Sequence, residues 1–338
     1  MTFARVVGHA GPAARLARAA ADGRLPAAVL LVGPAGIGKR ALADALAARL
    51  LCAAPDAGDA CGACAQCTCI AAGTHPDLHL VTRDAERRDI RVEQVRELTR
   101  WLGLQPLMAT RKVGVLDEAH CLSEQAQNAL LKTLEEPPAT AALVLVASAA
   151  ALLLPTVRSR CQVVRLDPLP TAEVVRVLEA CGLSAERARS LAPLAEGSPG
   201  RALALDGKEA EKARARVLAD LPRLRELAAD QLSAAAQELS RGALDAALVT
   251  ALAWYRDVLQ TALVGETLPL RNPAVAPAIR TAAGLLPPPA LLRQLETVYA
   301  TIVALEKNAN RMLAIETMLL SLRAIERSPT SADASSHG

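Results

Sequence analysis

Aromatic residues are almost missing from this chain. Phe3, Trp101, Trp254, Tyr255 and Tyr299 are the only ones among 338 residues, which leaves no row of stacking faces of the kind that holds single-stranded nucleic acid. Also lacking is a run of about 20 uncharged apolar residues, the length a membrane span needs. The N-terminus has no basic segment followed by an apolar one, the mark of a secretory signal. A cytoplasmic protein with no membrane partner is therefore expected. Charge of one sign is scarce too: a formal net charge of +3 argues neither for nor against a nucleic-acid partner. What is abundant is Ala and Leu, within a hydrophobic share of 52%, and that composition favours helices. The length calls for two or three domains.

The stretch Gly33-Pro34-Ala35-Gly36-Ile37-Gly38-Lys39-Arg40 fits the phosphate-loop pattern G-x-x-x-x-G-K-[ST] everywhere except its last position. Before it, Ala28 to Val32 is short, apolar and β-prone; after it, Ala41 to Leu51 repeats apolar residues at helical spacing. Glycines at 33, 36 and 38 let successive N–H groups turn toward an anion, Lys39 reaches for terminal phosphates, and the helix dipole adds a favourable field. At position 40 an active NTPase carries a hydroxyl for Mg²⁺, whereas Arg40 supplies a second cation and no oxygen. ATP binding is therefore allowed and hydrolysis is not expected. The bland alternative is a Gly-rich strand-to-helix turn without a ligand.

Eight cysteines in a chain of this size point to a metal site rather than a disulfide framework. Cys52, Cys61, Cys64 and Cys67 follow the pattern C-x8-C-x2-C-x2-C, which supplies four thiolates for a closed, structural zinc. Cys69, His75 and His79 lie near enough to be rival fourth ligands, with Cys69 alone reading as a bystander.

Further along, Leu78 to Thr82 reads as a strand and Ile90 to Leu104 as an amphipathic helix. The apolar strand at Val113 ends in Asp117-Glu118. Such a pair after a strand is the second half of a P-loop site, Asp117 for the Mg²⁺ shell and Glu118 to polarise water; the plain reading is a strand followed by a helix-capping acid. Ser123 to Leu134 reads as a helix stopped by Pro137-Pro138. Strands at Ala142 to Ala147, ending at Ser148, and at Gln162 to Leu166 complete an alternation that means an open parallel α/β sheet. The rigid break at Asp167-Pro168-Leu169-Pro170 is followed by two short helices, Thr171 to Cys181 and Ser184 to Leu194. From Lys208 to Ile325 the pattern is helical, interrupted at Gly265 to Pro277 and at Pro287 to Pro289.

The phosphate loop, the four-cysteine insert, Gly73-Thr74-His75-Pro76-Asp77, Asp117-Glu118, Asn128-Ala129-Leu130-Leu131-Lys132-Thr133-Leu134-Glu135-Glu136-Pro137-Pro138 and Ser159-Arg160-Cys161 occur in this order. In that order they resemble the clamp-loader branch of the AAA+ ATPases, the subunits that serve bacterial DNA polymerase III. Asn308-Ala309-Asn310-Arg311 and Glu316 extend the likeness over nearly the whole chain. The resemblance implies an AAA+ P-loop core over 1–166 with a zinc-binding insert at 52–67. It further implies a small helical lid over 167–207 and a helical collar for oligomerisation over 208–327. Ser328 to Gly338, small and polar, reads as a disordered tail.

The resemblance also implies partners: gamma/tau and delta subunits in a five-membered ring, and through the ring the sliding clamp and primer-template DNA. Arg40 matches the family's rigid, non-hydrolysing member. Hydrolysing relatives carry a sensing Arg where this chain has Gly200, with Arg201 one position along. Ser148 falls near the first sensor position, usually Thr. Arg160 is implied as an arginine finger acting in trans on a neighbour's ATP. The polymerase reaction, a nucleotidyl transfer, would belong to the holoenzyme and not to this chain. The alternative within the family is an active gamma/tau-type ATPase, against which Arg40 speaks. A small-molecule kinase with a zinc-stiffened lid leaves the helical bundle without a role.

Overall fold

Ala28–Val32 (β1) is apolar and buried at every position, which only a strand inside a covered sheet permits. The computed structural model, describing residues 2–84, 89–265, 267–306 and 309–327, places it next to last in a five-stranded parallel sheet. The other strands are Leu78–Val81 (β2), Lys112–Leu116 (β3), Ala141–Ala147 (β4) and Gln162–Arg165 (β5), in the order β2-β3-β4-β1-β5. Alternate residues of β1 and β4 face opposite ways. Val29, Leu31, Val144 and Val146 join one core cluster, and Leu30, Val32, Leu143 and Leu145 the other.

On the first face lie Ala10–Ala21 (α1), Lys39–Leu51 (α2) and Ala65–Ala71 (α3); on the second lie Val92–Leu102 (α4), Glu124–Glu135 (α5) and Pro155–Arg158 (α6). The parallel α/β class expected from the sequence is the one observed. Two details differ. α4 starts at Val92 because Ile90 is engaged in a β-bridge with Leu122. α3 was not expected, since its cysteines conceal a helix that begins just after Cys64. α5 is capped by Ser123, whose Oγ accepts the Ala126 N–H at 3.2 Å, and ends before the proline pair.

By its contacts the chain divides into two compact units, residues 1–183 with 196–200 and residues 184–195 with 201–338. The first holds the sheet and Thr171–Ala180 (α7). Ala185–Leu191 (α8) lies in the second, and Pro199–Ala204 (α9) runs from one into the other. The second unit continues with Lys208–Asp220 (α10), Ala229–Arg241 (α11), Leu244–Val264 (α12), Ala276–Ala283 (α13), Pro288–Glu306 (α14) and Arg311–Arg327 (α15). Its own core gathers around Leu248, Trp254, Val298, Ile315 and Leu322. The break after α12 is held by fully buried Asp257, which accepts N–H bonds from Arg271 (3.0 Å) and Asn272 (2.8 Å). The tail 328–338 and Asn308 lie outside the described residues. Among the described residues no helix is long and apolar enough to cross a membrane.

Candidate functional site

Gly33, Gly36, Gly38, Lys39 and Arg40 form the turn from β1 into α2, at the C-terminal end of the sheet. Gly36 (φ 74°) and Gly38 (φ 102°) are left-handed, a conformation that glycine adopts without cost. The amides of Gly36, Ile37 and Gly38 donate to no protein group among the described residues, so the anion-facing side of the loop is built. Beneath it, buried His9 donates from Nε2 to the Ile37 carbonyl at 2.7 Å. Nothing in the sequence around His9 signals that contact.

The loop's side chains are engaged with the protein itself. Lys39 is buried, and its Nζ donates to the carbonyls of Gly33 and Pro34, both at 2.7 Å. Burial lowers its pKa to about 8, against the raising influence of Asp117. Arg40 spans two carboxylates, with Nε 2.8 Å from Asp44 Oδ1 and a terminal nitrogen 3.2 Å from Asp117 Oδ2. Burial works against its charge, but the hydrogen bonds and charges of Asp44 and Asp117 prevail and raise its pKa. Thus a guanidinium sits on the carboxylate that would otherwise face a cation.

Asp117 and Glu118 follow β3 as expected, and Asp117 Oδ1 accepts the Glu118 N–H at 2.9 Å. Glu118 has φ 49° and ψ 40°, an uncommon conformation for a residue with a side chain and one found at functional positions. Its carboxylate pairs with Arg83 at 3.3 Å. Ser148 follows β4, and its N–H donates to His120 Nδ1 at 3.3 Å. The His120 pKa is lowered, chiefly by burial. Glu118, His120 and Cys121 offer ligand atoms within 4.8 Å of one another; Arg83 engages both oxygens of the Glu118 carboxylate, and the Ser148 bond takes Nδ1 of His120.

Residues 196–200 close over the phosphate loop. The Gly200 N–H donates to the Gly36 carbonyl at 2.9 Å, and Ser198 Oγ donates to the Ala35 carbonyl at 2.9 Å. A Cβ on Gly200 would lie 2.7 Å from Gly36 Cα. An arginine at position 200 therefore cannot coexist with this loop contact. The lack of a sensing Arg is legible in the sequence; the contact that requires it is not.

Arg160 lies between α6 and β5, exposed. It donates to the Thr156 carbonyl at 3.0 Å and pairs with Glu135 at 2.6 Å.

The four cysteines come together as their spacing predicts. Their sulfurs lie within 4.8 Å of one another, with Cys52 3.5 Å from Cys61 and 3.8 Å from Cys64. Ligands about 2.3 Å from a tetrahedral zinc stand roughly 3.8 Å apart, so the donor set fits the ion. Backbone N–H groups point at the sulfurs, from Cys61 to Cys52 (3.3 Å) and from Cys64 to Cys61 (3.4 Å). The Cys64 thiol is held down to about 6, chiefly by the Cys67 N–H, while burial pushes Cys67 up to about 12.

The rival ligands go elsewhere. His75 Nδ1 accepts the Asp77 N–H at 3.0 Å, and His79 packs tilted against Trp101, with ring centroids 5.2 Å apart and an interplanar angle of 55°. Asp77, missed as a structural centre, is fully buried; its carboxylate accepts the N–H groups of Leu107, Met108 and Ala109 at 2.7–2.8 Å and faces Lys112 at 3.6 Å. Lys112 Nζ in turn lies 4.0 Å from the Trp101 ring centre.

A parallel sheet of this strand order, with a phosphate loop after β1 and paired acids after β3, defines a P-loop NTPase core of the AAA+ class. Residues 8–170 match the family described as DNA polymerase III, delta subunit. The chain is 42% identical over 200 residues to DNA polymerase III subunit delta' of Pseudomonas aeruginosa, covering 58% of this chain and 61% of that one. To the delta' subunit of Escherichia coli it is 38% identical over 184 residues, 54% of this chain and 55% of the relative. The tau/gamma subunit of Haemophilus influenzae is 37% identical over 173 residues, 51% of this chain and 25% of the relative. The matches thus span little more than half the length of the delta' relatives. Over that stretch the resemblance to delta-prime clamp-loader subunits is borne out.

Proposed function

We propose that this chain is a non-hydrolysing clamp-loader subunit of delta-prime type. On this reading it assembles with gamma/tau and delta subunits and helps to place the sliding clamp on primed DNA in the cytoplasm. Its parts would be the core (1–166), lid (167–207) and collar (208–327). The observation that carries the reading is the engagement of Arg40 with Asp117 at 3.2 Å, which sets a cation of the protein where hydrolysis requires Mg²⁺. Lys39 bound to its own loop carbonyls and the Gly200 contact at Gly36 support it. The unengaged loop amides leave weak nucleotide binding in place. The four cysteines would hold a structural zinc, which supplies no reaction and pins residues 52–67 to α2 and α3.

Arg160 would act on the ATP of a neighbouring subunit. A planar, permanently charged fork neutralises the spread charge of phosphoryl transfer better than an ammonium. Mixing the purified chain with gamma/tau and delta subunits should give one stoichiometric complex on gel filtration, while the chain alone should turn over no ATP. Steady hydrolysis by the chain alone, lost in Lys39→Ala, would favour the gamma/tau-type reading instead.

A further inference from the structure

β5 lies at one edge of the sheet and pairs with β1 alone. The Leu166 N–H donates to Val32, so the period of two turns Val164 the same way and aims the N–H and C=O of Val163 and Arg165 outward. No hydrogen bond among the described residues engages those outward groups. Val163 is 40% exposed, and neither proline nor a bulge interrupts the strand. Such an edge is a template for another strand unless it is covered.

A cleft of about 750 Å³ runs beside the edge, lined among others by Arg15, Arg158, Ser159, Val163, Arg165 and Asp167. Three guanidinium groups face one carboxylate. None of the three has an ion-pair partner among the described residues, and Arg158 Nε is buried without a hydrogen bond. Arg15 comes from α1, packed on one face of the sheet, and Arg158 from α6, packed on the other. A chain laid along β5 would therefore have a guanidinium on either side. The positive lining continues along α1 and past its end, where Arg15, Arg18 and Arg24 share an adjoining hollow with Asp22.

We propose that the open edge of β5 and its cleft take an extended acidic peptide segment as a sixth strand of the sheet. The outward N–H and C=O groups recognise the peptide's backbone, which gives affinity without regard to sequence. The arginines select carboxylates at alternate positions, because their forked donors match a carboxylate in pairs. Nucleic acid would satisfy the arginines through phosphates but not the alternating donors and acceptors of the edge, and the cleft has no aromatic face for a base. The cleft does not use the phosphate loop or Arg160, although Arg158 and Ser159 of its lining flank that residue.

The test uses the full chain and a fluorescein-labelled octapeptide alternating valine and glutamate. Its controls are the valine–lysine counterpart and single-stranded oligothymidylate. By anisotropy the acidic peptide should bind saturably and the lysine peptide should not. Hydrogen exchange should show new protection at the amides of Val163 and Arg165. Arg165→Glu should weaken binding roughly tenfold or more, since it reverses a charge beside the strand, without lowering the thermal midpoint; Arg15→Glu, on the exposed face of α1, serves if that variant folds poorly. Val163→Pro removes one outward N–H and should also weaken binding, proline being tolerated where the N–H faces away from the sheet. Tighter binding of oligothymidylate, no binding of the acidic peptide, or peptide binding without protection of those two amides would each overturn the proposal.

Discussion

A buried carboxylate that accepts three backbone N–H bonds and faces a buried ammonium leaves little freedom to the loop around it. Asp77 is such a group. Burial favours its neutral form, but the N–H groups of Ala109, Leu107 and Met108 and the charge of Lys112 outweigh that and lower its pKa. Asp77→Ala would leave Lys112, 2% exposed at its side chain, as an uncompensated buried charge. A loss of about 3–5 kcal/mol in urea denaturation is expected. Arg160 is the opposite case, an exposed residue whose pair with Glu135 adds at most about 1 kcal/mol. Arg160→Ala should therefore leave stability and assembly unchanged. In a reconstituted complex it should lower DNA- and clamp-stimulated ATPase markedly, because fingers supplied in trans accelerate hydrolysis by roughly 10³ or more. Arg158→Ala should do much less; equal effects of the two substitutions would reduce Arg160 to a surface ion pair.

Among elements, the cysteine insert links α2 to the loop before β3. Gln66, on α3, donates from Nε2 to the Met108 carbonyl at 2.9 Å, and the same loop is held by Asp77. Protein purified reduced and without chelator should contain about one zinc per chain, as one four-thiolate site requires. Cys61→Ser should lower that content and raise amide exchange in residues 52–67 and 104–109, while β1 and β4 stay protected. Absence of zinc with all eight thiols freely titratable would remove the centre.

Elements of this kind were legible because each carries its own local signal: an apolar strand, a glycine turn, a cysteine spacing. What the sequence concealed are contacts between distant segments. His9 beneath Ile37, Arg83 against Glu118 and Gly200 against Gly36 join residues 28, 35 and 164 positions apart, and no periodicity reports such pairings. Arg40 is instructive at both levels. Its lack of a hydroxyl was readable, but its seat between Asp44 and Asp117 depended on the fold.

At the scale of the molecule, the two units have separate cores, so perturbations confined to one should appear in one unfolding transition. The four-cysteine site belongs to the first. The second contains Glu326, near the end of α15, whose carboxylate accepts from Gln294 Nε2 at 3.1 Å. Burial is the main reason its pKa rises from 4.5 to about 7; the hydrogen bonds from Gln294 and the Arg225 backbone and the Arg225 charge oppose the rise. Tyr255 faces the same carboxylate, and its buried hydroxyl has no hydrogen-bond partner. Because the folded state holds the Glu326 proton more tightly than the unfolded chain, folding takes up a proton between about pH 4.5 and 7. Stability from this group is full below about pH 4.5, falls as pH rises, and reaches its minimum above about pH 7. Glu326→Gln keeps an oxygen for Gln294 and removes the charge. At pH 8 it should stabilise the second unit by about 1–3 kcal/mol, a shift of a few degrees, after allowance for partial exposure. Toward pH 4.5 wild type and variant should converge. In calorimetry, chelation should lower a transition that Glu326→Gln leaves in place, and the substitution should raise one that chelation leaves in place. A single transition moved by both would mean that the two cores unfold together.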